Sequence, residues 1–197
     1  MKNFKVIDFR FTDVSDIYDL KFAKNNAWSR IYEYTYVLNF IKENTLKNEI
    51  KPKIHNSSWG FEGVHIIFRD ELDLIGDCVH SDIIHSIERP TFYYDITTEN
   101  KEFENSFDFV LNVSVIEHLS DETKRIQSIE NLFKQVKNGG YFILTFDYPR
   151  VNMKEIEKIV GVECKSAINT LNGKNSIYPN KNYENLNIIY LILKKDE

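Results

Sequence analysis

Phe107-Asp108-Phe109-Val110-Leu111-Asn112-Val113-Ser114-Val115-Ile116-Glu117-His118-Leu119 is the stretch on which the reading of this chain turns. Apolar residues at 107, 109, 110, 111, 113 and 115 leave little polar alternation, which predicts a central strand covered on both faces over 107–115. Downstream, Ser120 is placed to cap a helix whose apolar stripe is Ile126, Ile129, Leu132, Phe133 and Val136, at spacings of three and four. Asn138-Gly139-Gly140 is expected to stop that helix, because glycine accepts the left-handed conformation of a helix terminator. A further strand is expected over 141–146, ended by Pro149.

Outward from this centre the alternation of strands and helices continues. Short strands are expected at 53–56, 77–83 and 91–95, a turn with Gly60 and Gly63 at 57–63, and helices at 28–43, 64–74 and 153–160. A strand or loop is expected near 4–11, a long loop over 166–185 rich in Asn, Lys and Gly, and a final strand at 186–193. This order specifies an α/β fold with a doubly wound, mostly parallel sheet and helices on both faces. No repeat or linker divides the chain, so residues 1–197 read as one domain, with 1–48 as an N-terminal helical cap or lid and 49–197 as a Rossmann-like core.

Composition narrows the function. The chain has 197 residues, 42% hydrophobic and 28% charged, enough for a sizeable core. Its formal charge of −5 lacks the dominant basic field that neutralises phosphates, which argues against a nucleic-acid partner. No apolar run approaches the ~20 residues of a membrane span. Charges at Lys2, Lys5, Asp8 and Arg10 leave no signal-peptide core, so a cytoplasmic protein is expected. Cys78 and Cys164 are far apart and form no CxxC pair, so they read as reduced thiols. The histidines form no HxxxH pair with acidic support, and no metal is assigned.

In open α/β sheets ligands bind beyond the carboxyl ends of the strands. Successive strands here end in Asn56, Asp82, Asp95, and Asn112 with Ser114. The segment 107–119, ending in Glu-His-Leu, together with Val136-Lys137-Asn138-Gly139-Gly140-Tyr141-Phe142-Ile143-Leu144, resembles the class I S-adenosylmethionine-dependent methyltransferases over roughly residues 50–150. The resemblance implies a seven-stranded sheet, S-adenosyl-L-methionine as cofactor, S-adenosyl-L-homocysteine as product, and methyl transfer to an O or N atom of a small-molecule acceptor. It implies cofactor contacts from Asn56, Ser57, Ser58 and Gly60 in the first loop. Asp82 would take the ribose hydroxyls, Asp95 and Ile96 the adenine, and Asn112, Val113 and Ser114 the region of the sulfonium. The family's first loop is usually acidic-x-Gly-x-Gly-x-Gly, and here Asn56 replaces the acid while only Gly60 falls on a family glycine.

His118, with Glu117 beside it, is the candidate for proton transfer, since imidazole titrates near neutrality. The bland alternative is that both only cap the loop. Trp28, Arg30 and Tyr34, grouped with Tyr32 and Glu33, form either a lid over the acceptor or a packed helix with a solvated ion pair. Asp82 and Asp95 could equally be strand-end turn formers, and Gly60 with Gly63 a plain turn. Two rivals remain: an NAD-dependent Rossmann enzyme, disfavoured because GxGxxG is absent after the first core strand, and a degenerate methyltransferase-like domain acting as a binding module. The catalytic reading requires positions 56, 82, 95 and 112–118 to converge on one cavity at one rim. Oligomeric state is not legible.

Overall fold

Seven strands form one sheet in the computed structural model, which describes residues 1, 3–12, 16–22, 28–45, 51–60, 63–86, 89–165 and 187–197. The strands are β1 (Phe4–Phe11), β2 (Lys53–Ser57), β3 (Asp77–Asp82), β4 (Phe92–Tyr93), β5 (Phe107–Val113), β6 (Val136–Tyr148) and β7 (Asn187–Lys195). Their order across the sheet is β1-β7-β6-β5-β2-β3-β4. Pairings are parallel from β4 through to β6, whereas β7 runs antiparallel to both neighbours, so β1 points the same way as the core strands. The α-helices among the described residues are α1 (Trp28–Asn44), α2 (Val64–Ile75), α3 (Glu122–Gln135) and α4 (Met153–Val160). The doubly wound, mostly parallel architecture is therefore as expected.

Side-chain alternation along β5 explains the two layers. Phe109, Leu111 and Val113 join Ile54, Ile143 and Ile192 beneath Tyr34, Val37, Leu38 and Ile41 of α1 and Val64, Phe68 and Leu72 of α2. Val110 turns the other way, with Phe142, Leu144 and Leu191, against Ile129, Leu132 and Phe133 of α3 and Ile156 and Val160 of α4. Each fully buried Leu, Ile or Phe contributes about 1.5–3 kcal/mol. Exposed pairs such as Lys134–Glu99 are screened by solvent and contribute little. Burial, not surface pairing, holds the sandwich together. The buried Arg125–Glu155 pair, with both guanidinium contacts at 3.1 Å, pins α3 to α4.

Two local expectations are corrected. Asp121, not Ser120, caps α3, its carboxylate accepting from the Lys124 amide at 3.1 Å. Gly139 and Gly140 do not stop the helix, which ends at Gln135 and passes directly into β6. The pair instead lies in a bulge, since Phe107 is opposite Val136 but Phe109 is opposite Tyr141. Gly139 has φ +78°, and a Cβ on Gly140 would come within 2.8 Å of the Asp108 carbonyl oxygen. Backbone approach, not helix termination, requires glycine there. Three strands are shorter than expected: β3 stops at Asp82, β4 is reduced to Phe92–Tyr93, and β5 stops at Val113. Residues 1–48 also do more than cap the core, because β1 is a strand of the sheet. The expected loop at 166–185 lies outside the described residues.

Candidate functional site

Parallel strands bring their carboxyl ends to one edge, and the register fixes which polar residues meet there. Ser57 is opposite Ser81 on one side and Asn112 on the other, and Val113 is opposite Thr145. Asn112 is fully buried; its amide donates to Ser57 Oγ at 2.9 Å, and that hydroxyl donates to the Leu111 carbonyl at 2.7 Å. Asn112 Oδ1 is buried with no hydrogen-bond partner. An unpaired buried acceptor costs about 1–3 kcal/mol, so this oxygen is suited to a donor that the chain itself does not supply.

The turn after β2 folds back onto the end of β3. Ser58 and Gly60 take φ +53° and +68°, and a Cβ at Gly60 would lie 2.8 Å from the His65 ring. The Trp59 amide donates to the Ser81 carbonyl at 3.2 Å. Asp82 accepts from the Gly60 amide at 3.3 Å and, on its other oxygen, from the Ile84 amide at 3.1 Å. Each carboxylate oxygen retains a second lone pair. Asp95 closes a tight turn of its own, accepting from the Thr97 amide at 2.9 Å and hydroxyl at 2.8 Å. Ile96 is buried, and its carbonyl accepts from Asn131. Asn56 sits one residue before the rim, its amide against His80 Nδ1 at 3.2 Å.

α1 delivers a second set of groups to the same edge. Glu33 is wholly buried; Ser114 Oγ donates to its carboxylate at 2.6 Å, the Thr145 hydroxyl donates to the same oxygen, and Arg30 pairs with the other. Ser114 reaches this position with φ +49°. Tyr34 stacks on Phe68 with centroids 3.9 Å apart and hydrogen-bonds His65 Nδ1. Burial, reinforced by Arg30, pulls the His65 pKa down to about 4, so the ring is neutral. Trp28 opens α1, but its side chain lies outside the described residues.

Glu117 and His118 lie on the 3-10 turn Ile116–His118 that follows β5. Both Glu117 carboxylate oxygens are buried and without a partner. Burial pushes its pKa up to about 8, with Asp147 and Glu33 adding to the shift against its own backbone amide and Arg30. His118 is exposed on the surface, yet partial burial and then the cations Arg150 and Arg30 hold its pKa below the ordinary value. A neutral imidazole is the form that accepts a proton.

Gly60 meets Asp82 and Ser57 meets Asn112 at the carboxyl ends of the strands, but the space over the ends of β5 and β6 is taken by Glu33 and Arg30. An open groove of about 230 Å³ lies elsewhere, lined by Asp16, Ile17, Tyr36, Asn39, Phe40 and Glu43. Glu33 was legible only as one member of a charged aromatic group. Its placement four residues before Val37, on the apolar stripe of α1, is the signal that marks it as buried. Thr145 and His65 carried no comparable signal. Both cysteines are free, and no helix among the described residues is long and apolar enough to cross a membrane.

No family model matches the chain, and no curated protein matches it in sequence. Solved structures do. The N-methyltransferase NodS from Bradyrhizobium japonicum, in complex with S-adenosyl-L-homocysteine, is 13% identical with a TM-score of 0.57, over 90% of this chain and 95% of that one. The CurJ carbon methyltransferase is 11% identical with a TM-score of 0.61, over 90% of this chain and 57% of that one. The 1,6-didemethyltoxoflavin-N1-methyltransferase of Burkholderia thailandensis, with that compound and S-adenosylhomocysteine bound, is 8% identical with a TM-score of 0.56, over 90% and 84%. At such identities the likeness establishes the fold, which is that of the class I methyltransferases.

Proposed function

We propose, with the class I methyltransferase fold as premise, that this chain is an S-adenosylmethionine-dependent methyltransferase acting on an O or N atom of a small-molecule acceptor in the cytoplasm. The carrying observation is the Gly60 amide seated on Asp82, which ties the first loop to the acid ending β3 at the rim where open sheets bind ligands. The buried, unpaired Asn112 Oδ1 beside it fits a cofactor that brings hydrogen-bond donors. In this reading Asp82 receives the ribose hydroxyls on its remaining lone pairs, and Asp95 with Ile96 borders the adenine. Asn56, Ser57, Ser58 and Gly60 border the methionine part, with Asn112, Val113 and Ser114 nearest the sulfonium.

When bound, the cofactor supplies a methyl group already activated on sulfur. The chain positions the acceptor, excludes water and takes up a proton where the acceptor loses one. His118, neutral and open to solvent, is the candidate acceptor of that proton. Trp28, Arg30 and Tyr34 are the candidate lid. A net charge of −5 favours a small metabolite over nucleic acid.

Titration of the full chain with S-adenosylhomocysteine is the test. Asp82→Ala is expected to weaken that binding by about 1–3 kcal/mol, the scale of hydrogen bonds to a charged group. Unchanged affinity would reject the ribose role. His118→Gln is expected to slow turnover while leaving affinity for the product alone, and an unaltered rate would remove it from the chemistry.

A second reading has its own observation. Ser114 and Thr145 are already satisfied by Glu33, and Arg30 completes the closure, as in a domain that no longer opens for a cofactor. Absence of binding heat at high micromolar product, with the fold intact, would favour this interaction module.

A further inference from the structure

We propose that Asp73, Cys78 and His80 form a binding site for a divalent cation of zinc-like chemistry, between the last turn of α2 and β3. The placement follows from two periodicities. Cys78 and His80 are two apart on a strand and so project from one face, the face that α2 covers. Asp73 lies in the last turn of α2, where the helix descends onto that face.

One ligand atom from each residue lies within 4.8 Å of the others, and among the described residues no other trio of His, Cys, Asp or Glu does so. His80 Nε2 and Asp73 Oδ1 are already 2.9 Å apart. Tetrahedral zinc with bonds of about 2.0–2.3 Å holds its ligand atoms roughly 3.3–3.8 Å from each other, so small side-chain rotations suffice. The donor set of one sulfur, one imidazole nitrogen and one carboxylate oxygen selects a borderline-soft metal over magnesium or calcium, which require oxygen. His80 is buried, Cys78 half-buried and the Asp73 side chain 46% exposed, which leaves the fourth position open to water.

The second ring nitrogen of His80 is also provided for. Asn56, opposite His80 in the register, has its side-chain amide 3.2 Å from Nδ1. Metal on Nε2 requires the ring proton to be on Nδ1. Interchange of the Asn56 amide oxygen and nitrogen then makes that group the acceptor, the outer support a ligating histidine needs. Arg69, one turn back on α2, lies 3.9 Å from the other Asp73 oxygen. Its charge opposes the cation, so affinity in the micromolar range is expected, not that of a four-ligand structural site.

Cobalt(II) added to the full chain is the probe, independent of any methyl transfer. One equivalent is expected to give a thiolate-to-cobalt charge-transfer band in the near ultraviolet, abolished by added zinc. Cys78→Ser should remove the band. Asp73→Asn, at an exposed position and still able to accept from His80, should weaken binding by at least about tenfold, as should Asn56→Ala. The circular dichroism of each variant reports folding, and if Cys78→Ser fails to fold, the Asp73→Asn comparison decides. No band, a band that persists without Cys78, or binding indifferent to Asp73 would each overturn the proposal.

Discussion

Glu33→Ala is expected to destabilise the fold by about 3–5 kcal/mol, read as a shift in urea midpoint with unchanged slope. The size follows from what is left behind. Arg30 is mostly buried, and without Glu33 its guanidinium loses its ion-pair partner away from water. Ser114 and Thr145 lose the acceptor to which both hydroxyls donate. Glu33→Gln should cost less, since an amide oxygen still accepts from the hydroxyls while the charge on Arg30 goes unanswered. Arg30→Met combined with Glu33→Leu should recover the share of the loss due to the stranded guanidinium, but not the share due to the two hydroxyls left without their acceptor. A loss below about 1 kcal/mol for Glu33→Ala would place the pair in solvent and remove the closure of the rim.

Glu117→Gln is expected to act in the opposite direction, stabilising the protein at pH 8 by about 2–4 kcal/mol. Both oxygens of Glu117 are buried without a partner, and its pKa is raised to about 8 from 4.5. Between those values the folded state holds a proton that the unfolded chain has released. The unfolded state then binds fewer protons than the native one, and stability falls as pH rises. The contribution is whole below about pH 4.5 and lost through about pH 8. Asp147 and Glu33 oppose the charged form, while the residue's own backbone amide and Arg30 favour it. The glutamine variant carries no ionisable group there, so its urea midpoint should separate from the parent's progressively from pH 5 to pH 8.5. Parallel profiles would show that Glu117 has a partner that compensates its charge.

These effects concern residues whose roles were legible to different degrees. The segment 107–119 identified its strand because an almost unbroken apolar run has few other uses in a chain of this length. Helix α4 and the start of α1 were equally plain, since their apolar stripes are local. Ser120 and Asp121 are both good caps, and the choice between them depends on backbone angles that one-dimensional spacing does not carry. Gly139 and Gly140 misled for a related reason. A glycine pair serves a helix stop and a strand bulge alike, and only the register against β5 distinguishes them. At the rim, the strand-end residues could be listed from sequence, but their occupation by Glu33 could not. That contact joins positions 33, 114 and 145 through tertiary packing alone. The proximity of Asp73, Cys78 and His80 was not legible because it joins a helix to a strand and matches no single-segment motif.

The pairing of β1 with β7 sets a temporal constraint on how the molecule is made. Phe4 is opposite Lys195 and Phe11 opposite Ile189, so β1 meets its ladder partner only after β2 to β6 have been made. Until β7 is made β1 must wait without its ladder partner, and so long a loop closure is slow. Lys5, Asp8 and Arg10 alternate along it and discourage association with strangers in the interval. Once β1 and β7 have met, the Lys165 backbone bonds to Phe9 and Phe11 on the outer side and covers part of the remaining edge. Nascent chains stalled before β7 should therefore recruit chaperones through an orphaned β1, and chains released after it should not.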